Sequence, residues 1–312
     1  MSNQHLTTLG EISQRVEEMS LENWDDFVKT SSISFNSIDS IRIGSATHPV
    51  KPIAQRSIAF RLGVPLQYIS KCPPELQRDN LEYWLQHEKN EKLLFRFSGD
   101  SVRAIFTERY QALDNFMVLE QLAKVGYTPE TPVQCALDEN FMSLSIPDSK
   151  KTFQINGEDS ITPGISIANS EVGLSSLHIS AYFLRLLCTN GMISRTEVTS
   201  SYKHISQKIL DEFPAVVNEV SANLGKQKKQ FELSMNNQVS SPEMTFKSFN
   251  KQFALSEKER EAVDWGYLQE PGNNTMFDIV NAYTAGAKYS DLSAESVNRL
   301  QRVGGNILAM VN

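Results

Sequence analysis

Apolar positions follow a helical spacing towards both ends of the chain and a two-residue alternation in between. Lys51–Leu62 reads as a helix ending at Gly63-Val64-Pro65, and Pro74–Glu88 as a second that carries proline in its first turn, where the missing N–H is tolerated. Residues 1–90 are therefore expected to form a mostly helical N-terminal region. From residue 91 the alternation takes over. Leu93–Thr107 predicts two strands around Gly99-Asp100, Val133–Ile146 a strand pair, and Lys151–Ile155 and Gly164–Ala168 shorter strands. Leu113–Val125 interrupts them as an amphipathic helix ending at Gly126. After Arg195 helical spacing returns, from Glu197 past a break at Pro214 to about Gln238, followed by a polar connector, Val239–Glu243. Ser256 with Glu259 forms a capping box, Thr275 can cap Met276–Lys288, and Ser293 can cap the last helix. The predicted fold class is α+β: a strand-rich core over residues 91–196, with a central antiparallel sheet and β-hairpins, flanked by helical regions over 1–90 and 197–312, the latter compact with the core.

The hairpin gives the sharpest local geometry. A two-residue Gly-Asp loop sets Phe97 against Val102, Phe95 against Ala104 and Leu93 against Phe106 on one face. The other face then opposes Ser98 to Ser101 and Arg96 to Arg103, which is unfavourable unless an anion or a carboxylate lies between the two arginines. A phosphate backbone would serve; so would Asp100, Glu108 or Asp114.

A second segment, Ile165–Arg195, mixes polar groups into a long apolar run. Arg185 lies between Leu184 and Leu186-Leu187, where a buried unpaired charge would cost several kcal/mol, so it must pair or face water. Glu171 is the nearest candidate partner, and the alternative is that Arg185 joins Arg96 and Arg103 as a third arginine on one sheet face. Asn190-Gly191 suits either a hairpin turn or a helix C-cap, and Leu177–Cys188 is read as a strand entering that turn.

Composition narrows the function classes. The chain has 312 residues, 40% apolar and 21% charged, which is that of a globular protein. No run approaches the ~18 apolar residues of a membrane span, the amino terminus is too polar for a signal peptide, and a cytoplasmic location is expected. The net charge of −7 argues against a strongly basic nucleic-acid binder, although a local groove can still be positive. Three cysteines, Cys72, Cys135 and Cys188, have no zinc spacing, and the glycines spell no nucleotide-binding fingerprint, so neither a metal nor a cofactor is expected. Cys188 with His178 or His204 has the groups of a thiol nucleophile and base but no spacing that joins them. Ile58–Ile69 has helix-turn-helix spacing, yet Pro65 and Pro73-Pro74 shorten the second helix, favouring a simple helical hairpin. Lys226–Lys229 is a basic cluster, and Tyr110, Phe153 and Tyr182 are candidates for stacking on unpaired bases.

Three blocks carry a family resemblance: Arg103–Asn115, Ile167–Met192 and Thr275–Lys288. Together they resemble the phage- and plasmid-associated family catalogued as domain of unknown function 932, the middle block with its NSE-x-G and R-x-x-C-x-N-G pattern being the most specific. Some members of that family are thought distantly similar to single-strand annealing proteins of phage recombination. That likeness implies a curved antiparallel sheet backed by a helix, a basic groove for single-stranded DNA, assembly into rings or filaments, and no need for ATP or metal.

The expected function is accordingly a non-enzymatic single-stranded DNA binding or annealing protein of a phage or plasmid, acting in recombination as a homo-oligomer. Arg96, Arg103, Arg185 and Arg195 would hold the phosphates, helped by Lys150, Lys151, Lys228 and Lys229. The alternative is a protein-interaction or assembly factor of a mobile element, recognisable by carboxylates contacting both Arg96 and Arg103. A nucleic-acid enzyme would instead need Glu171, His178 and Asp138 around a metal.

Overall fold

The computed structural model describes residues 6–156, 159–186, 189–194, 200–202, 208–222, 228–269 and 272–311. Strand β1 (Thr7–Thr8) runs into α1 (Leu9–Ser20), whose start is fixed by a capping box between Thr8 and Glu11. The strands β2 (Asn23–Lys29), β3 (Ile33–Ser37), β4 (Ser40–Ile43) and β5 (Ala46–Pro49) follow, then the helices α2 (Pro52–Arg61), α3 (Leu66–Ile69) and α4 (Pro74–Leu85). The helical reading of residues 1–90 therefore holds for α1, α2 and α4 and fails between Asn23 and Pro49. The β3-β4-β5 meander is short, and its core contribution is a few side chains such as Ile33, Phe35 and Ile41, too few to show a period. At four residues α3 cannot serve as a recognition helix, so the helical-hairpin reading of this segment stands.

Strands β6 (Lys92–Ser98) and β7 (Ser101–Thr107) form the expected hairpin, with Gly99 at φ +54° in its loop. Near the loop the register is the predicted one, Ser98 against Ser101 and Phe97 against Val102. A bulge then intervenes, and Arg96 pairs with Ala104, Phe95 with Ile105 and Leu93 with Thr107. The predicted opposition of Arg96 and Arg103 is thereby corrected: Arg103 is the extra residue of the bulge. β2 adds to the outer edge of β6 over seven residues, completing a three-stranded sheet.

After α5 (Asn115–Lys124) come β8 (Pro132–Leu137), β9 (Met142–Pro147), β10 (Phe153–Asn156), β11 (Asp159–Asn169), β12 (Leu177–Arg185), β13 (Asn190–Ser194) and β14 (Ser200–Tyr202). They build an antiparallel sheet in the order β1-β8-β9-β11-β12-β13, with β10 on β11 and β14 on β12. Leu177–Arg185 is thus a strand, as read. Alternation divides the sheet's faces. Leu144, Ile165, Ile167, Ile179, Ala181 and Phe183 belong to the main core, whereas Gln134, Ser145, Ser166 and Ser180 lie in register across the other face. Hydrogen bonds answer the polar row: Tyr182 donates to Gln134, Ser145 to Ser166, and Asn298 to Ser143.

The helices α6 (Lys208–Ala222), α7 (Lys228–Asn236), α8 (Pro242–Gln252), α9 (Glu257–Gln269), α10 (Met276–Gly286) and α11 (Ala294–Ala309) complete the chain. Caps at Ser256, Thr275 and Ser293 form as expected. Two corrections concern α6. Ser200–Tyr202 is strand rather than helix, and Pro214 lies inside α6 instead of breaking it. An interior proline costs about 3 kcal/mol. Phe213, Val216, Val217 and Val220 are buried on the same helix, and at about 1.5–3 kcal/mol each they outweigh that cost.

Asn190-Gly191 is not the turn. The positive φ of this connection falls on Thr189, at 51°, and Asn190 and Gly191 open β13 opposite Arg185 and Leu184. A Cβ on Gly191 would overlap the Tyr182 hydroxyl and crowd the Gln301 amide, so glycine is required by close packing across the sheet. Gly191→Ala should therefore destabilise the fold by about 1–3 kcal/mol, read as a lower midpoint in urea unfolding; an unchanged midpoint would contradict this packing.

Candidate functional site

The segment Asn169-Ser170-Glu171 leaves the end of β11 and passes beneath the β6-β7 hairpin. Asn169 donates through Nδ2 to the Leu113 carbonyl and to Asn115 Oδ1, both at 2.9 Å. Ser170 donates to the Asn140 carbonyl at 2.7 Å and accepts from the Leu174 N–H at 3.0 Å, which tightens the chain after the strand. Glu171 Oε2 accepts from Arg103 Nη1 at 2.8 Å, and its Oε1 accepts from the Asn115 N–H at 2.8 Å. That second contact places a carboxylate on the first turn of α5, where a negative charge is favoured.

Arg96 is only 2% exposed. Its Nε donates to Asp25 at 2.9 Å, Nη1 to the Glu171 carbonyl at 3.0 Å, and Nη2 to Asp114 at 2.5 Å. Burial pulls its basicity down, but the adjacent Asp114 and Asp25 carboxylates more than compensate and hold it above the ordinary arginine value. Tyr110 stacks on Phe106 at a centroid distance of 3.6 Å, and burial raises its phenol above the usual range. Two guanidinium groups thus meet three carboxylates, Asp25, Asp114 and Glu171. Both guanidinium groups are buried, and the cluster carries one more negative than positive charge.

This corrects the arginine face. Arg96 and Arg103 come together, but around carboxylates. Arg185 joins neither them nor Glu171: its Nε pairs with Asp159 at 2.5 Å, and its guanidinium lies 5.0 Å from the Phe277 ring centroid. The ion-pair role read for Glu171 is correct in kind, with Arg103 as partner. Of the neutralisers considered, Asp114 is the one in place, while Asp25 was missed because β2 was not recognised as a strand. Arg195, Cys188 and His204 lie outside the described residues. Tyr182 is fully buried, and Phe153 is partly buried against the core. No group of three or more His, Cys, Asp or Glu among the described residues could hold a metal ion. Burial pushes the Cys135 thiol up to about 12, which leaves it protonated and unreactive near neutrality.

The lysines behave differently. Lys150, Lys151, Lys228 and Lys229 are all exposed. Lys151 Nζ donates to the Ser221 carbonyl at 2.9 Å, near the end of α6, and Phe153 meets Phe231 of α7 with centroids 6.3 Å apart. The two lysine pairs therefore share one edge of the core, near Asp148, 3.4 Å from Lys151, and Glu232, 3.9 Å from Lys228. Elsewhere, α4 presents an exposed aromatic group: Tyr83 and Trp84 meet edge to face at 5.2 Å, and His87 lies 4.9 Å from Tyr83.

No helix among the described residues is long and apolar enough to cross a membrane. The family model described as "Domain of unknown function (DUF932)" matches residues 103–288. No curated protein and no solved structure matches the chain.

If Glu171 holds the arginines and α5 together, Glu171→Ala should cost about 3–5 kcal/mol, because it strands a buried guanidinium. Glu171→Gln, which keeps acceptor and donor capacity, should cost less. Urea unfolding of both variants measures the difference, and two losses within about 0.5 kcal/mol of wild type, the range of ordinary surface changes, would contradict the assignment.

Proposed function

The chain belongs to the DUF932 family, and from that premise we propose that it is a non-enzymatic interaction or assembly factor that associates with copies of itself. The observation that carries this reading is the neutralisation of Arg96 and Arg103 by Asp25, Asp114 and Glu171. With those carboxylates in place, the two arginines have their counter-charge within the protein. Contact between copies would fall on the exposed aromatic group of Tyr83 and Trp84 at the end of α4 and His87 just beyond it, since aromatic side chains of this kind supply contact area at low entropic cost. The charge of −7 fits poorly with a polyanion as the main ligand.

A second reading, single-stranded DNA binding or annealing without ATP, draws on the shared edge of Lys150, Lys151, Lys228 and Lys229. In that case affinity would come from counterion release on those four side chains. A phage or plasmid setting belongs to this reading through the family resemblance.

Mass photometry of the full chain with and without a single-stranded oligonucleotide separates the two. Self-assembly predicts multiples of 35.1 kDa without oligonucleotide and a monomer for Tyr83→Ser/Trp84→Ser. A protein that is monomeric alone and grows only on adding the oligonucleotide would overturn it in favour of the second reading. Under that second reading, replacing all four lysines by alanine should flatten the salt dependence of binding by about 0.7 in log–log slope per lost contact; an unchanged slope would remove the lysine edge from the account.

A further inference from the structure

β2 ends the three-stranded sheet on one side, and its outer edge has no strand beside it among the described residues. The direction of its free backbone groups follows from the pairing with β6. Gly99 donates its N–H to the Glu22 carbonyl and Thr30 donates its own to the Glu91 carbonyl, each at 2.9 Å. With the unbroken register between these two points, the even residues Trp24, Asp26 and Val28 also turn their N–H and C=O groups towards β6. Asn23, Asp25, Phe27 and Lys29 therefore turn theirs outward. Of these outward groups only the Lys29 carbonyl has a partner among the described residues, the Ser32 hydroxyl at 2.8 Å, and it keeps a second lone pair.

Open edges are ordinarily blunted by proline, a bulge or shortness. β2 is 7 residues long, contains no proline and runs without a bulge. Its charged side chains, Asp25, Asp26 and Lys29, are exposed, and they select what can pair with it. When two β2 edges meet antiparallel, odd residues must stand opposite odd ones or even opposite even, because only the odd ones offer outward groups. Centred on Asp25 or on Asp26, such a pairing sets a carboxylate against its own copy, which is unfavourable. Centred on Phe27, it sets Asp25 of each copy against Lys29 of the other and Phe27 against Phe27, while Asp26 stands opposite Val28. The free valences suit that register. Lys29 faces Lys92 across β6, a like-charge pair, and makes no ion pair among the described residues. Asp25 gives Oδ1 to Arg96 and leaves Oδ2 unengaged. Phe27, opposite Leu94, is 54% exposed.

We infer that β2 pairs with β2 of a second copy, antiparallel about a twofold axis at Phe27, so that the two three-stranded sheets become continuous. The inference rests on the reading that copies of the chain associate, and gives that association a second surface besides the aromatic group of α4. With about six backbone hydrogen bonds and one ring contact the interface is small, and alone it is weaker than about 1 µM. It therefore dissociates at the dilution of mass photometry once the α4 rings are removed.

Sedimentation of the full-length Tyr83→Ser/Trp84→Ser variant at high protein concentration isolates the β2 contact. If the α4 reading fails, this variant and the wild-type protein sediment alike; the β2 contact is read from the variant in either case. The variant should form a dimer as concentration rises, and adding Lys29→Asp, which also removes the repulsion from Lys92, should weaken that dimer at least tenfold. A monomer throughout, leaving the edge to water or to a foreign strand, would overturn the inference, as would a dimer that Lys29→Asp leaves unchanged. Cysteines fix the register. Cα atoms of a hydrogen-bonded antiparallel pair lie about 5.5 Å apart, within disulfide range, so Phe27→Cys should cross-link two copies on oxidation, beyond the level of the same variant without it, and Asp26→Cys should not. Cross-linking at Asp26→Cys equal to or above that at Phe27→Cys would overturn the inference as well.

Discussion

Glu171 is a buried carboxylate that Arg103 and the first turn of α5 share, while the carbonyl of the same residue receives Arg96. The rest of the arrangement depends on this concentration of charge away from water. Arg96 is enclosed by Asp25 from β2, Asp114 from the approach to α5, and residue 171 from the end of β11. Three separate pieces of chain meet at one guanidinium. Taking such charges out of water is expensive, and the attraction repays it only where nearly every N–H finds an acceptor. The geometry is therefore a condition for the β6-β7 hairpin to sit on the central sheet at all. It also explains why Asn-Ser-Glu is followed so soon by a turn: Ser170 closes the chain on itself just where Glu171 must point at the hairpin.

The same cluster bears on how the two arginines are read. Two arginines on a hairpin suggested phosphate, and a sequence alone cannot say whether the counter-charge is a ligand or the protein. Here it is the protein, with a carboxylate to spare. Lys150, Lys151, Lys228 and Lys229 are exposed, and α4 keeps Tyr83 and Trp84 outside.

Much of the fold was legible. The β6-β7 hairpin, α5, the β8-β9 pair, the strand at Leu177–Arg185 and the caps of the last three helices follow from alternation, loop chemistry and capping residues. What failed did so for local reasons. β2, NWDDFVK, has no clean alternation because Val28 is its one buried residue: Phe27 is 54% exposed, and Asp25 stays exposed while pairing with Arg96. The bulge at Arg103 is invisible because a Gly-Asp loop fixes register only for the first pairs beyond it. Pro214 was read as a break because its cost is local, whereas the burial that offsets it is tertiary. Asn190-Gly191 carries the letters of a turn, yet Gly191 answers to Tyr182, a neighbour across the sheet. In the candidate site, Asp114 was within reach of sequence reasoning, being next to the hairpin. The pairing of Arg103 with Glu171, 68 residues apart, and of Arg185 with Asp159 required the sheet to be built first.

The central claim is that Glu171 locks the hairpin and the start of α5 to the core sheet. Hydrogen–deuterium exchange on Glu171→Gln tests it most directly. The account predicts faster exchange confined to residues 92–107 and 115–119, with α10 and α11 protected as in the wild-type protein. Exchange unchanged in the hairpin, or raised uniformly across the chain, would contradict it.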